Sequence, residues 1–155
     1  MSTRSHRYTI TETAALTGLP ATTLRYYESI GVIAPISRGA SSRHRVYDED
    51  DLDQVMWVAC LAATGMSVSD MRTYIANGGQ GAAAARDQID LLEQQERRLA
   101  VEAEQVALRQ RYVRLKIGYW QALEAGDEAR ASQLSDEASA LADRLKRTTK
   151  NEERR

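Results

Sequence analysis

The chain contains no phenylalanine, one cysteine, two histidines and two prolines in 155 residues. A single cysteine excludes a disulfide framework within the chain, and two histidines leave little material for a metal site. Neither a metal nor a cofactor is expected. No apolar run approaches the roughly 20 residues that a membrane-spanning helix needs. The opening residues, MSTRSHRYT, lack the apolar centre of a secretory signal. A cytoplasmic protein without membrane contact is therefore expected. No phosphate-binding glycine loop and no nucleophile–base arrangement is visible, which speaks against an enzyme. With proline only at positions 20 and 35, little interrupts a helix, and most of the chain reads as helical.

The net charge of −1 hides an asymmetry. Residues 1–47 hold six arginines (Arg4, Arg7, Arg25, Arg38, Arg43, Arg45) against two acids, Glu12 and Glu28. The remainder is net acidic. A basic head on an acidic body suits an end that binds a polyanion, although a chance cluster on a solvated surface would look the same.

Helix signals open at Thr9, with Glu12 three residues on as in a capping box, and Gly18 closes that segment. Pro20 then opens a second helix that runs through Ile30 to Gly31. Two short helices joined by a glycine-containing turn outline a helix-turn-helix. The Gly/Ser-rich stretch Arg38–Ser42, followed by Arg43-His44-Arg45-Val46-Tyr47, reads as a small β-hairpin wing. Asp48 and Asp51 mark the start of a third helix, Ser67 and Asp70 that of a fourth, which Gly78-Gly79 stops.

Beyond that break lies the longest periodic pattern. Ile89, Leu92, Glu96, Leu99, Ala103, Val106, Gln110, Val113, Ile117 and Trp120 follow one another in alternating steps of three and four. This is a heptad seam, spanning about 48 Å of helix, interrupted by Glu96 and Gln110 at a-type positions. A lone helix with such a stripe has no reason to stay folded, so a partner strand is implied, with Ile89, Leu92, Leu99, Val106, Val113, Ile117 and Trp120 as the dimer interface. A second stripe, Val101, Leu108, Tyr112, Leu115 and Tyr119, needs cover as well. A final helix from Asp127, carrying Leu134, Ala138, Leu141 and Leu145, is the natural source. The expected organisation is a mainly α chain: a head over 1–78, a dimerisation coiled-coil helix over 79–123, a short C-terminal helix over 124–147 and a disordered tail over 148–155.

The stretch from Tyr8 to Pro35, YTITETAALTGLPATTLRYYESIGVIAP, resembles the DNA-binding head of the MerR family of regulators. The likeness continues through Arg43–Leu52 to Gly65-Met66-Ser67, and Leu24-Arg25-Tyr26-Tyr27-Glu28 is its most specific element. The resemblance implies a winged helix-turn-helix on an antiparallel coiled-coil homodimer. Its partners would be double-stranded promoter DNA and, indirectly, RNA polymerase, because such dimers bend and undertwist promoters whose elements are spaced too far apart. Carried over by position, the DNA-contacting set is Thr9, Ala21, Thr22, Thr23, Arg25, Tyr26, Arg43, His44, Arg45 and Tyr47. For Leu24 and Tyr27, packing between helices is the better reading.

The inducer is a separate question. Paired thiols for a metal and the several cysteines of an iron–sulfur cluster are missing. About 30 residues after Gly126 do not make room for a large drug-binding domain. The one cysteine, Cys60, is placed as in the aldehyde- and thiol-stress-responsive branch of the family, and the expectation is a switch by reaction with an aldehyde or oxidant. Against it stands plain packing, since Cys60 follows Met56 by one helical turn. A noncovalent ligand is the nearest alternative, held by Trp57, Tyr112, Tyr119 and Trp120 between the head and the long helix. A coiled-coil adaptor that binds protein and no DNA is the alternative from another class.

Overall fold

The computed structural model describes residues 6–152, without the side chains of 148, 149, 151 and 152. Helix α1, Ile10–Thr17, starts on the expected capping box: Thr9 Oγ1 accepts from the Glu12 N–H, and Glu12 Oε2 accepts from the Thr9 N–H. It ends at Gly18, whose φ of 75° is left-handed and favours glycine. Helix α2, Ala21–Ser29, follows directly from Pro20. Its apolar positions Leu24 and Tyr27 are buried, so packing is their role.

The segment after Gly31 returns to the core at Val32, Ile33 and Ile36 before leaving it to form the wing. The wing is shorter than a hairpin of regular strands. One antiparallel bridge joins Arg38 to Arg45, and a tight turn closes it through Gly39 N–H to His44 O at 2.9 Å. Arg43, in that turn, has a φ of 56°, which is uncommon for a residue with a side chain. A second bridge ties Tyr8 to Tyr47, closing the N-terminal segment over the base of the wing.

Helix α3, Glu49–Ala63, opens on the Asp48/Asp51 capping box, and α4, Val68–Gly78, opens on Ser67, whose hydroxyl accepts from the Asp70 N–H. Leu24, Tyr27, Val32, Ile33, Ile36 and Tyr47 close one core with Val55 and Val58 of α3, Met66, and Met71 of α4. Burying that many large side chains in one cluster is what lets so short a stretch hold a fixed shape.

A 3₁₀ turn, Gly81–Ala84, leads into α5, Ala85–Glu124, of 40 residues. Gly126, at a φ of 74°, turns the chain into α6, Glu128–Glu152, where Asp127 caps the first turn through the Arg130 N–H. The C-terminal helix is therefore longer than expected. It continues through positions 148–152, read from composition as disordered, because nothing in that polar stretch breaks a helix already started; 153–155 lie outside the described residues. The chain divides within α5, between Glu93 and Gln94, into two compact units.

In the second unit α6 covers one face of α5. Leu134, Ala138 and Leu141 are buried, and Leu108, Tyr112, Leu115 and Tyr119 are half-buried, while Val101 stays exposed. A Cβ at Gly118 would stand 3.1 Å from Leu134 Cδ1, so glycine permits the close approach there.

Candidate nucleic-acid interface

The exposed residues expected to meet DNA fall into two groups. On α2, Thr22, Arg25 and Tyr26 are exposed, and Ala21 and Thr23 are partly so, at the amino end of a helix whose first N–H groups have no side-chain cap. Such an end carries a partial positive charge and free donors. At the wing, Arg43 and His44 are exposed on the turn.

A cleft of about 250 Å³ joins these groups, lined by Thr9, Arg25, Arg38, His44 and Arg45 together with Ile10 and Thr11. Three arginines and a histidine around one depression, with no carboxylate among its lining residues, is a setting for phosphate oxygens. Arg38 was not singled out from the sequence as a contact. Its guanidinium Nη1 donates to the Arg43 carbonyl at 3.2 Å, and its place in the basic head at the start of the wing was the available signal.

Two expected contacts take a different form. Tyr47 is fully buried, so its side chain cannot reach DNA. It packs in the core of the head, its backbone paired with Tyr8, and its hydroxyl has no hydrogen-bond partner there. Burial pushes its phenol pKa up. Thr9, the second case, is exposed at the cleft, but its hydroxyl is already engaged in capping α1.

Arg45 is partly buried and paired. Its Nε donates to Glu28 Oε2 at 2.5 Å, and Glu28 Oε1 accepts the Ile36 N–H at 3.1 Å. Partial burial raises the Glu28 carboxyl pKa, but the hydrogen bonds from Arg45 and Ile36, with the charges of Arg45 and Arg38, outweigh it and hold the pKa below its ordinary value. Sequence reasoning placed Glu28 within a motif without giving it a role.

Cys60 lies on α3 and is exposed on the single chain, outside the buried core of the head. Met56 and Trp57 of the same helix are exposed as well. Trp57 lines a cleft of about 510 Å³ within the first unit, with Asp50, Asp53, Tyr74, Ile75 and, from the start of α5, Gln88 among its other walls. Among the described residues no group of three or more metal-ligating side chains is assembled, and no helix is long and apolar enough to cross a membrane.

The heptad residues form one exposed line on α5. Ile89, Leu92, Leu99, Val106, Val113 and Ile117 are all more than a third exposed, and Trp120 is 65% exposed. Large apolar side chains in such a row are an unsatisfied surface on a single chain.

Comparison with known proteins gives this geometry a context. The model of the MerR HTH family regulatory proteins matches residues 8–78. The uncharacterized HTH-type transcriptional regulator YyaN of Bacillus subtilis (strain 168) is 38% identical over 71 residues, which are 46% of this chain and 51% of that protein. The HTH-type transcriptional regulator AdhR of the same organism is 38% identical over 65 residues, 42% of this chain and 46% of AdhR. The chain thus spans about half the length of these curated relatives. Among solved structures, HiNmlR, a MerR family regulator lacking the sensor domain and crystallised bound to promoter DNA, has the same fold. The TM-score is 0.61 at 23% identity, covering 77% of this chain and 94% of that one.

Proposed function

Residues 8–78 belong to the MerR family of helix-turn-helix regulators, and from that premise we propose that the protein is a homodimeric transcription regulator that binds promoter DNA. The observation that carries the reading is the arginine-lined cleft between the amino end of α1, helix α2 and the wing. Thr22 and its neighbours at the start of α2 would enter the major groove, while Arg25, Tyr26, Arg43, His44 and Arg45 hold phosphates on either side. The role is binding and deformation, not catalysis.

Dimerisation follows from the exposed seam on α5, and its charge pattern favours one direction. In an antiparallel pair the seam residues interlock as Ile89 with Trp120 of a second copy, Leu92 with Ile117, Glu96 with Val113, Leu99 with Gln110, and Ala103 with Val106. Flanking positions then bring Glu93 beside Arg114 and Glu102 beside Arg109. A parallel pair would set Glu96 against Glu96 and Arg109 against Arg114, juxtapositions that cost energy. A dimer carries two heads, which would engage two half-sites. Binding at both half-sites offsets the several kcal/mol needed to bend and undertwist the spacer between them.

Cys60 is the candidate switch. Its exposure on α3 leaves the thiol open to an aldehyde or an oxidant. A noncovalent ligand remains the second reading, favoured by the 510 Å³ cleft that Trp57 and Tyr74 line, a volume within the range of small-molecule sites. This cleft lies within the first unit, whereas Tyr112, Tyr119 and Trp120 belong to the second.

The test is transcription from the protein's own upstream promoter with purified RNA polymerase, with and without an aldehyde. A Cys60→Ser protein should bind the promoter normally and fail to switch. Normal switching by that variant rules out the thiol as the switch and directs attention to the Trp57 cleft.

A further inference from the structure

We propose that Glu28 is a positioning residue for DNA binding, locking the wing to helix α2 and presenting the Arg45 guanidinium to a phosphate. The inference rests on the reading of residues 8–78 as a DNA-binding head.

Its basis is a single carboxylate with two anchors. One oxygen takes the Ile36 N–H, at the foot of the outgoing side of the wing, at 3.1 Å. The other takes Arg45 Nε, on the returning side, at 2.5 Å. Arg38 and Arg45 are themselves bridged across the wing. One side chain at the end of α2 therefore fixes both sides of the wing relative to that helix.

The choice of nitrogen matters as much as the bond. Glu28 uses only Nε, so both Nη groups of Arg45 remain outside this bond, on a residue that lines the cleft with Arg25, Arg38 and His44. A guanidinium held by one edge has lost most of its rotamer freedom before DNA arrives, and that ordering need not be supplied at binding. The pair is only partly exposed, with side-chain accessibilities of 19% for Arg45 and 15% for Glu28, so solvent competes weakly for the bond.

Electrostatics alone predicts the opposite effect of Glu28. A carboxylate near a polyanion repels it, and neutralising the carboxylate should tighten binding. Glu28→Gln therefore separates a positioning role from a merely electrostatic one by the sign of the change.

The experiment measures affinity of the full chain for its own upstream intergenic DNA and for a scrambled fragment, at two salt concentrations. Four proteins are compared: wild type, Glu28→Gln, Arg45→Ala and the double variant. Glu28→Gln should weaken specific binding about tenfold, the scale of one charge-assisted hydrogen bond. Arg45→Ala should weaken it and lower the salt slope by about one phosphate contact. In the Arg45→Ala background, Glu28→Gln should change nothing further. Equal or tighter binding by Glu28→Gln overturns the inference. So does the same loss in both backgrounds, which marks damage to the fold that does not pass through Arg45. Failure of the wild type to prefer its own upstream DNA is a different result, and it removes the DNA-binding reading itself.

Discussion

Arg43, Arg45 and Tyr47 alternate along one short segment, and a regular strand would turn all three to one face. The backbone is not regular there. Arg43 takes a left-handed φ in the turn, Arg45 pairs with Arg38, and at Tyr47 the pairing passes to Tyr8. Tyr47 is thereby carried into the core while Arg45 stays at the cleft. Because the Tyr47 hydroxyl is buried without a partner, Tyr47→Phe should leave DNA affinity unchanged. It should hold or raise stability by up to about 1 kcal/mol, read from denaturant melts. A loss of DNA affinity on that change would restore Tyr47 to the interface. Glu28 supplies a pH signature at the same scale. Its carboxyl pKa is lowered in the folded head, so its contribution to stability is whole above the ordinary carboxylate pKa, near 4.3. That contribution vanishes as acid protonates the folded form. The stability gap between wild type and Glu28→Gln should be widest near neutrality and close below about pH 4. A gap independent of pH would deny the ion pair any part in it.

At the scale of elements, the helix starts were legible because each depends on a few adjacent residues. Thr9 with Glu12, Asp48 with Asp51, and Ser67 before Asp70 all cap the helices they announce. Asp48→Ala should cost about 1 kcal/mol of head stability. What the sequence concealed depends on partners distant along the chain. Glu28 acquires its role only when Arg45, 17 residues later, folds against it. The end of α6 was misread for a related reason: composition marks a polar stretch as loose, but a helix already nucleated continues until something stops it. Gly118 is a third case: nothing adjacent in the sequence marks it, and its role appears only where Leu134 packs on it. Gly118→Val should destabilise the packing of α5 with α6 by about 1–3 kcal/mol. Retention of full stability would mean that Leu134 has room to move.

At the scale of the molecule, the decisive fact is that α5 has two apolar faces and the described residues cover only one of them. The face toward α6 holds Leu108, Tyr112, Leu115 and Tyr119, half-buried, whereas the seam from Ile89 to Trp120 stands exposed. In the proposed dimer a second copy of the same helix, antiparallel, would meet that seam with matching apolar residues and opposite charges. Ile117→Glu should give a monomer by sedimentation with the head still folded. Glu93→Arg should weaken the dimer, and adding Arg114→Glu should restore it, since the two exchange places across the pair. Failure of the second change to rescue the first would exclude the antiparallel register.

The most direct test of dimeric promoter binding is a footprinting titration of the full chain on its own upstream intergenic DNA, at low and physiological salt. One dimer should protect two half-sites, with affinity that falls steeply as salt rises and exceeds that for scrambled DNA by a thousandfold or so. Binding no tighter than to scrambled DNA, or no binding at all, would contradict it and leave the coiled coil as a surface for another protein.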